Sequence, residues 1–169
     1  NFPACFVSFW EFESDKQNRY PMKENKPILG ITMGDPAGIG PEVAVKALFK
    51  KEIYDLCRPI LIGDAKVIED TVIFCGLPLS VNPIKSIDKA KFQFGIIDVF
   101  DLQNVDISKL KKGQISAMAG AVAFETVVKA IELAMEGKID ATVTGPINKE
   151  SIHLAGFKFS GHTEIYAHY

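Results

Sequence analysis

From Lys26 onward the chain alternates short apolar runs with stretches of helical period, and no other feature constrains its fold as tightly. Residues 28–32 (ILGIT), 58–63 (RPILIG), 92–100 (FQFGIIDVF) and 139–145 (IDATVTG) read as strands, the first and last of these as buried ones. Between them, 41–51 (PEVAVKALFKK) reads as a helix opened by Pro41, with Val43, Ala44, Ala47 and Leu48 on one stripe. Asp64 caps a helix that Gly76 ends, and Ser116 caps a long one that stops at Gly137. Pro146 can begin a short helix in 146–156, while 77–91 carries no clear period and 101–114 reads as a polar connection. Strands alternating with helices in this way predict an α/β fold, an open, mainly parallel sheet with flanking helices. Ligands of such sheets bind at the carboxyl ends of the strands, which singles out the loops 33–40, 63–64 and 144–150.

The 169 residues, 47% of them apolar, suffice for one domain with a real core. With 19 basic and 21 acidic side chains the net charge is −2, and the basic residues are scattered, so nucleic acid is not an expected partner. Three cysteines without CxxC spacing (Cys5, Cys57, Cys75) argue against a disulfide scaffold or zinc site and fit buried free thiols in a reducing cytoplasm. Residues 1–21 differ from the rest, an aromatic burst followed by a polar run, and are read as a leader or non-native extension ahead of a folded part spanning 22–169. Their apolar stretch of about ten residues is half of what a membrane crossing needs, and they lack the basic start and small-residue cleavage site of a signal peptide.

The loop 33–42, MGDPAGIGPE, packs three glycines and two prolines between a strand and a helix. It fails as a Walker loop, because Ile39 stands at the second glycine and no lysine follows, and as a dinucleotide fingerprint, because Val43 replaces the third glycine. An anion cradle at a helix start and a plain turn requiring positive φ both remain open for it. In the closing stretch TGPINKESIHLAGFKFSGHTEIYAHY, Thr144 leaves a strand and Lys149 lies one helical turn beyond Gly145. His162 and Thr163 follow Gly161 in what reads as a loop. Imidazole, hydroxyl and ammonium suit a phosphorylated hydroxy acid, because charged oxygens want charge-assisted donors. On spacing alone a lone histidine is more often structural. Glu164 and His168, four apart, read as an ordinary exposed helix face and not as a metal pair.

GITMGDPAGIGPEVAVKAL, TGPINK and GHTE, in this order, closely resemble the 4-hydroxythreonine-4-phosphate dehydrogenases of pyridoxal phosphate biosynthesis and their relatives acting on D-threonate or D-erythronate 4-phosphate. The resemblance runs from about Lys26 to Tyr169 and implies an isocitrate/isopropylmalate dehydrogenase-like fold of which this chain is the amino-terminal part of two domains. It implies NAD-dependent oxidation and decarboxylation of a phosphorylated hydroxy acid, 4-phosphohydroxy-L-threonine first and a four-carbon acid-sugar phosphate second. It also implies a homodimer and a divalent metal (Zn, Mg, Mn or Co). The family's substrate-binding His-Thr pair falls on His162 and Thr163, and Asp35, Thr144 and Lys149 fall on cleft-lining segments. By the same resemblance the metal ligands and most NAD contacts lie downstream of GHTE, so no metal ligand is expected here and His153 and His168 are not counterparts. The fragment alone is expected to be inactive, and a non-catalytic phosphate-binding module is the competing class.

Overall fold

The runs of alternating apolar residues pair as strands in the computed structural model, which describes residues 26–169. The strands are Ile28–Thr32 (β1), Arg58–Gly63 (β2), Ser80–Ile84 (β3), Ile96–Asp101 (β4) and Ala141–Val143 (β5). They form one sheet in the order β3-β4-β2-β1-β5, and every pairing is parallel. Among the described residues the helices are Gly40–Leu48 (α1), Lys51–Leu56 (α2), Ala65–Phe74 (α3), Ala117–Met135 (α4), Lys149–Leu154 (α5) and His162–His168 (α6). The α/β expectation therefore holds. The reading of residues 1–21, and Cys5 within them, lies outside the described residues.

Strand alternation divides the core into two layers. Leu61, Ile97 and Val99 meet Val45 and Leu48 of α1 and Val67, Ile68 and Val72 of α3 on one face. Ile60, Ile62 and Ile84 meet Ala130 and Leu133 of α4 on the other. Each such side chain, fully buried, contributes about 1.5–3 kcal/mol against exposure. A third cluster, built on Phe124 and Val127 of α4, seats Ile165 of α6 and Phe157 of the preceding loop.

Several boundaries differ from expectation for reasons of packing. The helix expected over 41–51 is two: α1 ends at Leu48, and α2 starts at Lys51 after the extended Lys50. Within α1 the core takes Val45, whereas Val43 is 53% exposed. Val43, Ala44, Ala47 and Leu48 do share a face, but it lines an apolar groove of about 430 Å3 with Leu29, Ile31 and Val143. Ser80–Ile84, left without a period in the sequence, is an edge strand, the position where Pro83 can sit without removing a ladder bond. The Phe92–Gly95 part of the third expected strand is a turn, with Phe92 at φ +50° and Gly95 at φ +91°. β5 is the opposite edge and not a buried strand, with Val143 46% exposed. The helix expected from Pro146 begins instead at Lys149, capped by Asn148, whose side chain accepts from the Ser151 amide. Of the thiols, Cys57 is buried and Cys75 half-buried, both free.

Candidate functional site

Of the three loops at the carboxyl ends of the strands, 63–64 is closed by its own carboxylates. Asp64 Oδ1 accepts the Lys66 and Val67 amides and Oδ2 the Val105 amide, while Asp101 Oδ1 accepts from Ala65 and Gln103. These lone pairs are spent on backbone, as buried carboxylates require.

The other two loops interlock. The Asp35 amide donates to the Pro146 carbonyl at 2.9 Å, and the Gly145 amide donates to both the carbonyl and the hydroxyl of Thr32, at 3.1 and 2.9 Å. The approach is so close that a Cβ on Gly145 would fall 2.4 Å from the Thr32 carbonyl oxygen. One on Gly34, which sits at φ +74°, would fall 2.3 Å from that of Pro146. The glycines of 33–42 thus form a tight turn pressed against TGP. Asp35 lies beneath this contact at 6% exposure, its Oδ1 accepting from the Ala37 amide. Burial pushes its pKa up, and the amides of Ala37 and Gly38 and the Ser151 hydroxyl pull it partly back.

Above the interlock stand α5 and α6. Gly120, in the first turn of α4, lets the α5 backbone in, since a Cβ there would sit 1.9 Å from the Ser151 carbonyl oxygen. α6 begins at His162 behind Gly161, which has no side chain to cap it; the histidine is the first helical residue and not part of a loop. Its lead-in is held by Glu164, whose carboxylate accepts the Ser160 amide at 2.7 Å and the Ser160 hydroxyl at 2.8 Å. Tyr166 then ties α6 to β5 by donating to the Thr142 hydroxyl at 2.8 Å.

The His162 ring is half-buried beside Gly145. Its Nε2 is buried and has no hydrogen-bond partner among the described residues. Burial lowers its pKa below the usual imidazole value, and the Gly145 carbonyl pulls the other way by favouring the protonated ring. Lys149 reaches the same place: its Cε lies 3.8 Å from where a Cβ on Gly161 would be, and its charge bears on Glu164. Lys149, Thr144 and Thr163 are exposed. The structure therefore brings His162 beside Gly145 and Lys149 beside Gly161, leaves Thr144 and Thr163 exposed next to them in sequence, and turns the Asp35 carboxylate into its own loop. His153 and His168 stand apart, the first against the Phe159 carbonyl and the second against the Phe159 and Tyr169 rings. Ser151 and Ser160 were not singled out in the sequence. A glycine inside a strong helical pattern, Gly120, was the available signal for the first, and the Ser-x-x-x-Glu spacing for the second.

A depressed histidine has a definite consequence for stability. Neutral His162 supports the fold above its unfolded value of about 6.5, and that support is lost as pH falls through the lower folded value. Unfolding free energy should accordingly drop below pH 6.5 more steeply in the natural chain than in His162→Asn; denaturant midpoints of the two that run parallel from pH 7.5 to 5 would contradict this.

The family described as pyridoxal phosphate biosynthetic protein PdxA matches residues 55–169. The chain belongs to the PdxA family. It is 52% identical over 146 residues to a Clostridium botulinum protein that carries the provisional name D-threonate 4-phosphate dehydrogenase, covering 86% of this chain and 44% of that one. Its fold is similar to the 4-hydroxythreonine-4-phosphate dehydrogenase structure from Burkholderia phymatum (TM-score 0.82, 45% identity, 85% of this chain, 43% of that one). The enzyme of the same name from Klebsiella pneumoniae is also similar (TM-score 0.78, 36% identity, 85% of this chain and 44% of that one). The chain thus spans under half the length of these PdxA-family relatives. Among the described residues no three His, Cys, Asp or Glu side chains converge as metal ligands, and no helix is long and apolar enough to cross a membrane.

Proposed function

We propose that residues 22–169 are the amino-terminal part of a two-domain, NAD-dependent dehydrogenase that oxidises and decarboxylates a four-carbon hydroxy acid carrying a 4-phosphate. The observation that carries this reading is His162: an imidazole in a PdxA-family chain, held at the junction of two strand-end loops with a buried, unpartnered Nε2. A buried polar atom without a partner costs about 1–3 kcal/mol, a penalty that a hydrogen-bonding ligand removes. In this reading His162 and Thr163 bind the substrate, the Lys149 ammonium and Thr144 hydroxyl line the approach of its anionic groups, and Asp35 holds the turn beneath them. A divalent metal would polarise the alcohol and the developing carbonyl. Among the described residues no cluster of His, Cys, Asp or Glu side chains supplies its ligands. The family's homodimer, cytoplasmic location and choice among Zn, Mg, Mn and Co belong to the proposal in the same way.

4-Phosphohydroxy-L-threonine and D-threonate 4-phosphate share the phosphate and the secondary alcohol that these groups would address. The 52% relative favours testing D-threonate 4-phosphate alongside the former. NADH absorbance with each substrate and each metal is the test. A longer protein containing this chain should turn over one of the two, whereas the 169 residues alone should form no NADH, because hydride transfer needs nicotinamide and alcohol carbon held in contact. Turnover of neither substrate by the longer protein would favour the non-catalytic phosphate-binding alternative, and metal-dependent turnover by the 169 residues would overturn the expectation that they are inactive alone.

A further inference from the structure

We propose that Glu164 is a positioning residue for the His162–Thr163 pair, fixing the chain that leads into α6 through its two hydrogen bonds to Ser160; this rests on the substrate-binding reading of that pair. Helix α6 starts at a glycine with no side-chain cap, and its backbone donors are otherwise unassisted at that end. Gly161 is extended and carries no side chain to restrain it, so the orientation of residue 162 depends on what holds residue 160. Glu164 holds it by the amide at 2.7 Å and by the hydroxyl at 2.8 Å, a charge-assisted pair on one carboxylate. The pull of Ser160 keeps that carboxylate below its ordinary pKa, so it is ionised wherever the site would work. On its far side the Lys149 ammonium adds the opposite charge. The geometry leaves the Glu164 carboxylate spent on Ser160, so it orients the site and does not itself bind substrate.

The discriminating variants are Glu164→Ala, which deletes both bonds, Ser160→Ala, which deletes only the hydroxyl bond, and Glu164→Gln, whose amide oxygen can still accept the Ser160 amide. The group that bears on the ring is the Gly145 carbonyl, while Lys149 bears on Glu164, two residues along α6 from the ring. In the 169-residue chain, NMR titration of the His162 ring should move up toward the free-imidazole value of about 6.5 in Glu164→Ala, as the released ring gains water. Losing a nearby negative charge would by itself move the titration the other way, so an upward shift reports release and not charge. Glu164→Gln, which loses the charge but keeps an acceptor for the Ser160 amide, should shift slightly down if at all, and Ser160→Ala should fall between the natural chain and Glu164→Ala. An unmoved titration in Glu164→Ala overturns the proposal; should that variant fail to fold, an unmoved titration in Ser160→Ala does so. In the longer protein the same Glu164→Ala change should raise the substrate KM by about tenfold or more with the KM for NAD unchanged, and Glu164→Gln should restore it. A longer protein inactive on either substrate would remove the functional reading, while the ring titration would still decide whether Glu164 sets the histidine.

Discussion

Gly145→Ala should destabilise the chain by about 3 kcal/mol, lowering Tm by roughly 6–12 °C in a domain of this size. The Cβ would enter a space already held by three backbone atoms: the Thr32 oxygen at 2.4 Å, the Met33 oxygen at 2.8 Å and the Met33 carbonyl carbon at 2.9 Å. Backbone cannot swing aside as a long side chain can, so β1 and β5 must part, and the two bonds from the Gly145 amide to Thr32 stretch with them. Thr32 is fully buried, and its hydroxyl would lose that donor where water cannot replace it. Gly113→Ala is the control: that glycine sits at φ +76° with nothing within 4 Å, so the change costs only the left-handed conformation, about 1–2 kcal/mol. Thermal melts of the two should separate clearly. A Gly145→Ala melt no lower than that of Gly113→Ala would mean that the loops open freely and that the interlock is no constraint on the site. Because the Gly145 carbonyl also faces the His162 ring, the destabilised variant should disturb that titration as well, joining a packing defect to a functional one.

What the sequence made legible was local. Asp64 and Ser116 announce their helices because each accepts amides two or three residues ahead, and Gly76 and Gly137 end those helices at φ +62° and +67°. What stayed hidden was set by distant partners. The break between α1 and α2 carries no glycine or proline, and α2 is fixed by Tyr54 and Ile53 reaching the core. The edge position of β5 follows from the crossing of α4 to the far side of β1, which periodicity does not encode. The start of α6 lacks a capping side chain at its own N-cap, and its fastening, Glu164 to Ser160, runs backward along the chain. At the site, residue types and order pointed to His162, Thr163, Thr144 and Lys149; the structure sets His162 beside Gly145 and Lys149 beside Gly161. The burial of Asp35 was not readable, since its loop composition suits an exposed turn equally well.

His162→Ala should separate function from stability in the opposite sense to Gly145→Ala. In the longer protein kcat/KM for the phosphorylated substrate should fall by about 10–150-fold, the equivalent of the 1.5–3 kcal/mol that a hydrogen bond to a charged group contributes. The KM for NAD should stay near its natural value. Stability of the 169-residue chain at pH 7.5 should change little, because the ring brings an unpartnered buried Nε2 whose penalty offsets much of what its packing contributes. A group retained at a cost to the fold is expected where a ligand supplies the missing partner, and the lowered pKa keeps the ring neutral near neutral pH, so that Nε2 accepts from such a ligand in one tautomer and donates to it in the other. The sharpest reading is therefore the ligand-induced rise in Tm: substrate should raise the melting temperature of the natural longer protein and should raise that of His162→Ala much less. An equal rise in both, together with an unchanged kcat/KM, would show that the buried nitrogen meets no substrate and would take His162 out of the site.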